Sequence, residues 1–323
     1  MTMTGIARRT IAMCSFEADI GRAAQALAVF RISLGIVTLW QAVMTARDLP
    51  LLVGEFGLMQ RSINDAMAPP FLPRLGWFHK LWEIGLVTEH QLIYILLGCY
   101  LICLFFLIAG WRTRFFAAAS LFFHLLFKAS GSASSYGAHE LSTNGLFFCI
   151  LLPVSAYYTL ERRVPAMDAF AIRLGRFALR AYLSIVYVSS GITKLSGPAW
   201  RNGDAMWNFF MRPEVTMMNF GWLSHVPWLV AAMGWFTLMA ETGYFLCLFS
   251  VRARTVWFFA TLLLHLGIGV TFHLWFFSLT MIALNVGALG GFRLRWPRRR
   301  RETATETIES SNGEVQPALA ADV

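Results

Sequence analysis

Lys194 is the residue of this sequence whose type and position point most directly to chemistry. It ends the apolar part of the segment "SSGITKLSGPAW", residues 189–200. A lysine acts as a base only after losing its proton, and burial among apolar groups favours that neutral form. The flanking residues, from "SIVYVSSGIT" to Trp200, provide such surroundings, and Gly191 lets a ligand approach the backbone closely. The alternative is that Lys194 extends to the headgroups of a membrane.

A small set of other ionisable side chains lies in similarly apolar stretches. Such groups are costly at membrane depth and are candidates for function by default. We expect His139 to donate a hydrogen bond to an anion, or to cap a helix together with Glu140. We expect Glu241 to be protonated or paired with Arg31, as a tie between helices or as a catalytic group. Supporting polar roles are predicted for Glu140, Glu241, His265, His273 and Arg31.

The composition predicts that these residues belong to a polytopic membrane protein. Of 323 residues 57% are hydrophobic and 14% are charged, and the mean hydropathy is +0.57. A membrane helix needs about 20 apolar residues, and windows that are apolar on every side indicate helices rather than strands. We therefore predict an all-α bundle of about eight transmembrane helices. The windows are 25–45, 91–109, 115–127, 141–158, 177–193, 226–249 and 255–291, the last of them broken at "TFHLWFF".

Basic residues fall in alternate loops of this arrangement. Arginine clusters precede the first window and follow the second, fourth, sixth and last ones. By the positive-inside rule both termini lie in the cytoplasm, and Lys194, His139, Glu140 and His273 lie toward the outer face. The same placement explains the net charge of +9 without any nucleic acid. The predicted location is a bacterial-type cytoplasmic (inner) membrane, with membrane lipid as a partner of the basic run "PRRRR".

The windows divide the chain into three parts. Residues 1–25 form a cytoplasmic segment that lacks the apolar region of a cleavable signal peptide. Residues 26–291 form the transmembrane domain, in which 46–90 is an interfacial segment of short helices with tryptophans at headgroup level. Residues 292–323 form a basic anchor and a disordered tail.

Several stretches resemble the HTTM domain, the membrane domain shared by vitamin K-dependent gamma-carboxylases and many bacterial proteins. The segment "GITKLSGPAWRNGDAMW" is similar to the signature of that domain. In chain order, "FRISLGIVTLW", "GWRTRFFAAAS", "AHELSTNGLFFCILLP" and "HLGIGVTFHLWFFSLTMIAL" fit the same pattern. The resemblance covers about residues 26–289.

The resemblance implies a reaction and the residues for it. In the carboxylases a lysine followed by leucine deprotonates reduced vitamin K, and the matching residue here is Lys194. His139 matches a supporting histidine, and Gly191 and Trp200 are candidates for binding the cofactor. The quinone anion reacts with oxygen, and the basic product lets a peptide glutamate capture carbon dioxide. The expected function is therefore a carboxylase-like lyase that uses a reduced quinone of the vitamin K or menaquinone type, without a metal, on a secreted or exported peptide.

Two alternative functions stay open. The animal carboxylases carry a large non-membrane region that grips the substrate, and this chain shows no counterpart of it. That difference favours a non-catalytic membrane component for maturation or export of a secreted peptide. A quinone-linked oxidoreductase subunit of the DoxX type would need a redox pair, for which Cys99 and Cys103 are the candidates, although we interpret both as packing residues.

Overall fold

The computed structural model describes residues 19–161, 168–212, 216 and 219–291. Helices and connecting loops make up these ranges, and no strand occurs in them, which confirms the all-α class. We name the long helices α1 (Ile20–Thr45), α2 (Glu89–Ala109), α3 (Thr113–Ser130), α4 (Gly137–Leu151), α5 (Ala169–Ser196), α6 (Pro227–Thr242), α7 (Val251–Phe272) and α8 (Trp275–Leu289). The described residues belong to one compact unit that ends at Gly291. The predictions for residues 1–18 and 292–323 lie outside the described residues.

Among the described residues, four segments are long and apolar enough to cross a membrane. They are α1, α2, α7 and the stretch Pro227–Leu248, in which a 3-10 turn extends α6. Their outward side chains are apolar too, since Ile36, Ile102 and Leu263 are each at least half exposed. Apolar groups on both the inner and the outer faces indicate a membrane protein.

Each predicted window coincides with a long helix, with differences at the ends. The window 141–158 is shortened, because α4 ends at Leu151 and Leu152 is extended before Pro153. A proline disfavours helical backbone in the residue before it. The predicted break in the last window is confirmed: α7 ends at Phe272, His273 has a left-handed backbone with φ of 55°, and α8 follows.

Helix α8 packs against α1, α4, α5 and α7 and is the best-covered helix among them. Phe30 of α1 lies against Gly287, where a Cβ atom would come within 2.9 Å of the Phe30 side chain. Small residues at such crossings let two backbones approach closely, which is how membrane helices gain packing energy.

Two buried arginines tie the start of α5 to the end of α8. Arg176 donates to the carbonyls of Ala288 and Gly290, and Arg180 donates to that of Ala288. The last carbonyls of a helix lack partners within the helix, so these bonds satisfy them. The two helices are therefore antiparallel, and the end of α5 lies with the start of α8. We call this end of the bundle, which contains the α7–α8 turn at His273, the turn end.

The segment between α1 and α2 contains short helices, as the sequence predicts. They are Leu49–Val53, Arg61–Met67 and His79–Glu83, with a 3-10 turn at Leu75–Phe78. Arg61 pairs with Glu89 at the start of α2. The Ser130 hydroxyl at the end of α3 accepts a hydrogen bond from Leu75 N–H at 2.8 Å. These bonds attach the segment between α1 and α2 to the start of α2 and the end of α3, both of which lie at the turn end.

Candidate functional site

Lys194 is held at the turn end by a carboxylate and a hydroxyl. Its Nζ lies 2.9 and 2.7 Å from the two carboxylate oxygens of Glu241 and 2.6 Å from Ser190 Oγ. The Lys194 side chain is 24% exposed and that of Glu241 is 10% exposed. The ring of Trp200 lies 5.6 Å from Nζ, within the range of a cation–π contact. The lysine is thus an ion-paired group that a ligand can still reach.

The pairing depends on a close approach of α5 to α6. Gly191 lies on the face of α5 that meets Glu241 and Thr242. A Cβ atom at Gly191 would lie 2.7 Å from Thr242 Cγ2, 3.0 Å from its backbone nitrogen and 3.2 Å from Glu241 Cβ. The space beside this glycine is therefore filled by α6. Its predicted role in binding a cofactor stays a prediction.

The expected pairing of Glu241 with Arg31 is wrong. Arg31 is fully buried and its Nη2 donates to the carbonyl of Tyr158. That contact places the guanidinium near the loop after α4, whereas Glu241 contacts α5. The sequence shows which charges are buried, but their partners depend on which helices are neighbours.

A buried polar network lies below the ion pair, one to two turns further into the bundle on the same face of α5. The Tyr187 hydroxyl lies 2.7 Å from His265 Nε2 and accepts a hydrogen bond from Asn285 Nδ2 at 2.8 Å. Tyr244 donates to Asn285 Oδ1 at 2.9 Å, and its ring stacks on that of Tyr187 at 4.4 Å. The network joins α5, α7, α8 and the 3-10 turn after α6. It explains the burial of His265 without placing that histidine in contact with Lys194.

His139 lies in a second cluster, which surrounds a cavity of about 340 Å³ at the turn end. We call it the His139 cavity. Residues of α1, α2, α3, α4 and α8 line it, among them Gln41, Tyr100, His124, Lys128, His139 and Phe276. Lys194 is not one of its lining residues.

Hydrogen bonds connect the histidines of this cavity. His139 Nε2 lies 3.2 Å from Gln41 Nε2, and His139 Nδ1 lies 3.4 Å from Tyr136 N, which precedes α4. The expected contribution of His139 to the helix start is therefore present. His124 Nε2 contacts the carbonyl of His139 at 3.0 Å, and its Nδ1 contacts the Tyr100 hydroxyl at 2.8 Å.

The lysine of this cavity is Lys128. Its Nζ lies 2.7 Å from Glu140 Oε2, and its side chain is only 15% exposed. From the sequence Lys128 is close enough to a helix end to reach headgroups, so it was not predicted as part of a site. Its spacing of four residues from His124 puts both on one face of α3, but that spacing does not show that a cavity lies beside them.

Lys194, His139 and Glu140, which the sequence places toward the same face, are thus divided between two clusters. Lys194 contacts Glu241 and Trp200, whereas His139 and Glu140 belong with Lys128. Phe277 of α8 contacts the buried network, with its ring 5.7 Å from that of His265, and lies within 3.4 Å of a Cβ built at Gly137 at the start of α4. His273 is exposed in the turn between α7 and α8.

The described residues offer less support for metal or redox chemistry. They contain no group of three or more His, Cys, Asp or Glu side chains arranged to hold a metal ion. Cys99 and Cys103 are free thiols, the first exposed and the second buried. A larger cavity of about 540 Å³ lies near Arg112, Glu161 and Asp168, away from both clusters.

Comparisons of the chain with known protein families, with curated proteins and with solved structures gave no match. The chemistry of the site must therefore be inferred from its geometry and from the residues of the sequence.

Proposed function

We propose that this protein is a membrane enzyme of the vitamin K-dependent carboxylase type, in which the Lys194–Glu241 pair takes a proton from a reduced quinone. We further propose that the chain crosses the membrane eight times, that both termini are cytoplasmic, and that the reaction takes place at the outer face, which corresponds to the turn end. Carbon dioxide, oxygen and a peptide glutamate are the other proposed substrates. The observation that carries the proposal is the partly exposed ion pair of Lys194 with Glu241, inside the segment that resembles the HTTM signature.

The surroundings of the pair fit a ring that carries an ionisable hydroxyl. Glu241 provides an acceptor for the hydroxyl proton, and Lys194 provides a donor to the oxygen that loses it. Trp200 supplies a flat aromatic surface beside Nζ. A reduced quinone, when bound, supplies the electrons for reaction with oxygen and hence the strong base that carboxylation of a glutamate needs.

The pair acts as one unit in the proposed proton transfer. The hydroxyl proton moves to the Glu241 carboxylate, while the ammonium of Lys194 stays beside the negative oxygen and stabilises it. Ser190, which lies 2.6 Å from Nζ, keeps the ammonium in place. This assignment differs from that implied by the resemblance, in which the lysine itself is the base, because Lys194 contacts both carboxylate oxygens.

The test is quinone epoxidation by purified protein. Wild type receives chemically reduced menaquinone or vitamin K with oxygen, bicarbonate and glutamate-rich peptides, and quinone epoxide is followed by mass spectrometry. General acid–base catalysis contributes about 10²–10⁴-fold, so Lys194→Met is expected to lower the rate at least about 100-fold. Lys80→Met, which changes an exposed lysine between α1 and α2, is the matched control and should keep the wild-type rate.

The outcome decides between the functions considered. Epoxide from wild type and from Lys80→Met, but not from Lys194→Met, supports the proposal even when the natural peptide is unknown. No epoxide from folded wild type would overturn it and favour the non-catalytic role in peptide maturation or export.

A further inference from the structure

The Lys194–Glu241 pair is one of a series of contacts along the crossing of α5 and α6. Next along α5 comes Gly191, which lies directly against α6. One turn further the ring of Tyr187 stacks on that of Tyr244, which lies in the 3-10 turn that extends α6, with centroids 4.4 Å and planes 23° apart. Residue numbers fall on one side of this series and rise on the other, so the two segments are antiparallel. A shift at the tyrosine stack is therefore carried to the ion pair.

Asn285 of α8 joins the two stacked tyrosines. Its Nδ2 donates to the Tyr187 hydroxyl at 2.8 Å, and its Oδ1 accepts from the Tyr244 hydroxyl at 2.9 Å. The same Nδ2 donates at 2.9 Å to the carbonyl of Met281, about one turn earlier in α8. Since a carbonyl oxygen can only accept, this bond fixes which end of the amide faces which tyrosine.

Burial makes this arrangement strict. Asn285 is 3% exposed, Tyr187 is 2% exposed and Tyr244 is fully buried. A polar group at this depth that loses its partner is costly, so both hydroxyls must stay within reach of one amide. Polar side chains join helices in this way inside membranes. Asn285 thus holds α5 and the end of α6 in one register, from a helix that carries neither member of the ion pair.

We propose that Asn285 is a positioning residue for the Lys194–Glu241 pair. By holding the two tyrosines together it fixes α5 against α6, and this keeps the carboxylate on the ammonium. The inference rests on the proposed function for the reaction that the pair performs. The pairing itself can be measured without a quinone, so the two proposals can fail separately.

Trace acetylation with acetic anhydride measures how firmly Lys194 is paired. The reagent reacts with a neutral amine and not with an ammonium, so a carboxylate that stabilises the ammonium slows the labelling. The chain has three lysines, Lys80, Lys128 and Lys194. The full chain is labelled in micelles and then digested, and mass spectrometry reports each lysine. Lys80 is exposed and provides the internal reference.

Three variants change the arrangement at different points. Glu241→Gln removes the carboxylate and should raise the labelling of Lys194 about fivefold or more, the factor that corresponds to ~1 kcal/mol of ion-pair energy. Tyr244→Phe keeps the stacked ring but loses the hydroxyl, and Asn285→Leu removes the amide. Each of these two should raise the labelling at least about twofold, because the pair is loosened but keeps its carboxylate.

Tyr100→Phe is the matched control. The Tyr100 hydroxyl is buried and lies 2.8 Å from a histidine nitrogen, as the Tyr187 hydroxyl does at 2.7 Å, but it belongs to α2. This variant loses a buried hydroxyl away from the α5–α6 crossing and should label Lys194 like wild type. A rise as large as that of Tyr244→Phe would show that general loosening of the bundle is enough, and would overturn the inference.

Unchanged labelling of Lys194 in both Tyr244→Phe and Asn285→Leu, with a rise in Glu241→Gln, would also overturn it. Tyr244→Phe removes a single oxygen, so this result does not depend on the folding of Asn285→Leu. No rise in Glu241→Gln would overturn the ion pair and the positioning role together. The expected rises in a protein that forms no quinone epoxide would support the role of Asn285 and overturn the proposed reaction alone.

Discussion

At the scale of residues, the partner of Lys194 changes the chemistry expected of it. A lone lysine in apolar surroundings would be a base in its neutral form. In the structure Lys194 is paired with Glu241, whose side chain is only 10% exposed. The two side chains therefore behave as one group. Removal of either partner leaves the other charged and poorly solvated.

A double-mutant cycle measures this coupling. Lys194→Met and Glu241→Gln are each expected to lower the free energy of unfolding. Breaking an exposed ion pair costs up to ~1 kcal/mol and breaking a buried one costs ~3–5 kcal/mol, and the loss for this partly buried pair should lie between these values. The double variant should lose less than the sum of the two, because neither charge is then left alone. Unfolding in mixed micelles gives the three values. Additive losses would show that the two side chains act independently.

The sequence indicates the importance of Lys194 but not its partner. Lys194 stands out because it is a charge in an apolar stretch, and Glu241 does so for the same reason. Their contact depends on the packing of α5 against α6. The described part of the stretch between these helices contains the short helices Pro198–Asn202 and Asp204–Phe210 and the 3-10 turn Gly221–His225. Lys128 was not predicted as a site residue, because its position near a helix end has a simpler explanation.

At the scale of elements, one glycine sets the distance between α5 and α6. Gly191 lies one turn before Lys194, directly against Thr242 and Glu241. The backbone nitrogen of Thr242 would lie 3.0 Å from an added Cβ atom, and a backbone atom cannot rotate away. The carboxylate can therefore reach Lys194 because this position carries no side chain.

Gly191→Ala is expected to destabilise the protein and loosen the ion pair. Overpacking of this kind costs about 1–3 kcal/mol. Gly98→Ala is the matched control, since a Cβ atom there meets nothing within 4 Å and lies inside α2. Alanine is better than glycine in a helix by about 0.5–1 kcal/mol, so this control should be neutral or stabilising. Thermal unfolding in detergent compares the two, and equal effects would contradict the role given to Gly191.

Helices are the part of the fold that the sequence predicts well. Long apolar windows need internal hydrogen bonding in lipid, so their helical structure follows from their composition. The ends are predicted less well, as in α4, where Pro153 stops the helix before the apolar run is over. The His139 cavity could not be predicted, because its walls come from five long helices and the short helix Leu49–Val53, and no single window encodes their order in space.

At the scale of the whole molecule, access to the two clusters depends on the direction of the chain across the membrane. The turn end carries Lys194, His139 and His273, and the opposite end carries the start of α5 with Arg176. Arginines favour the cytoplasmic side. Both clusters would then be reached from the outer face.

Labelling of cysteines added one at a time, beside the five native ones, tests this orientation. In intact cells, His273→Cys should react with a membrane-impermeant maleimide, because His273 is exposed in the α7–α8 turn. Arg301→Cys should react only after the membrane is opened. The parent protein without the added cysteine gives the background. The reverse pattern would place the Lys194–Glu241 pair on the cytoplasmic side and contradict an outer-face reaction.

The most direct test of the central claim is quinone epoxidation by Glu241→Gln. This variant keeps Lys194 and the shape of the acid but removes the group that accepts the proton. If the pair acts as a unit, epoxide formation should fall about 100-fold or more while the protein stays folded. A rate equal to or above that of wild type would show that Lys194 works alone as the base, and would contradict the mechanism proposed for the pair.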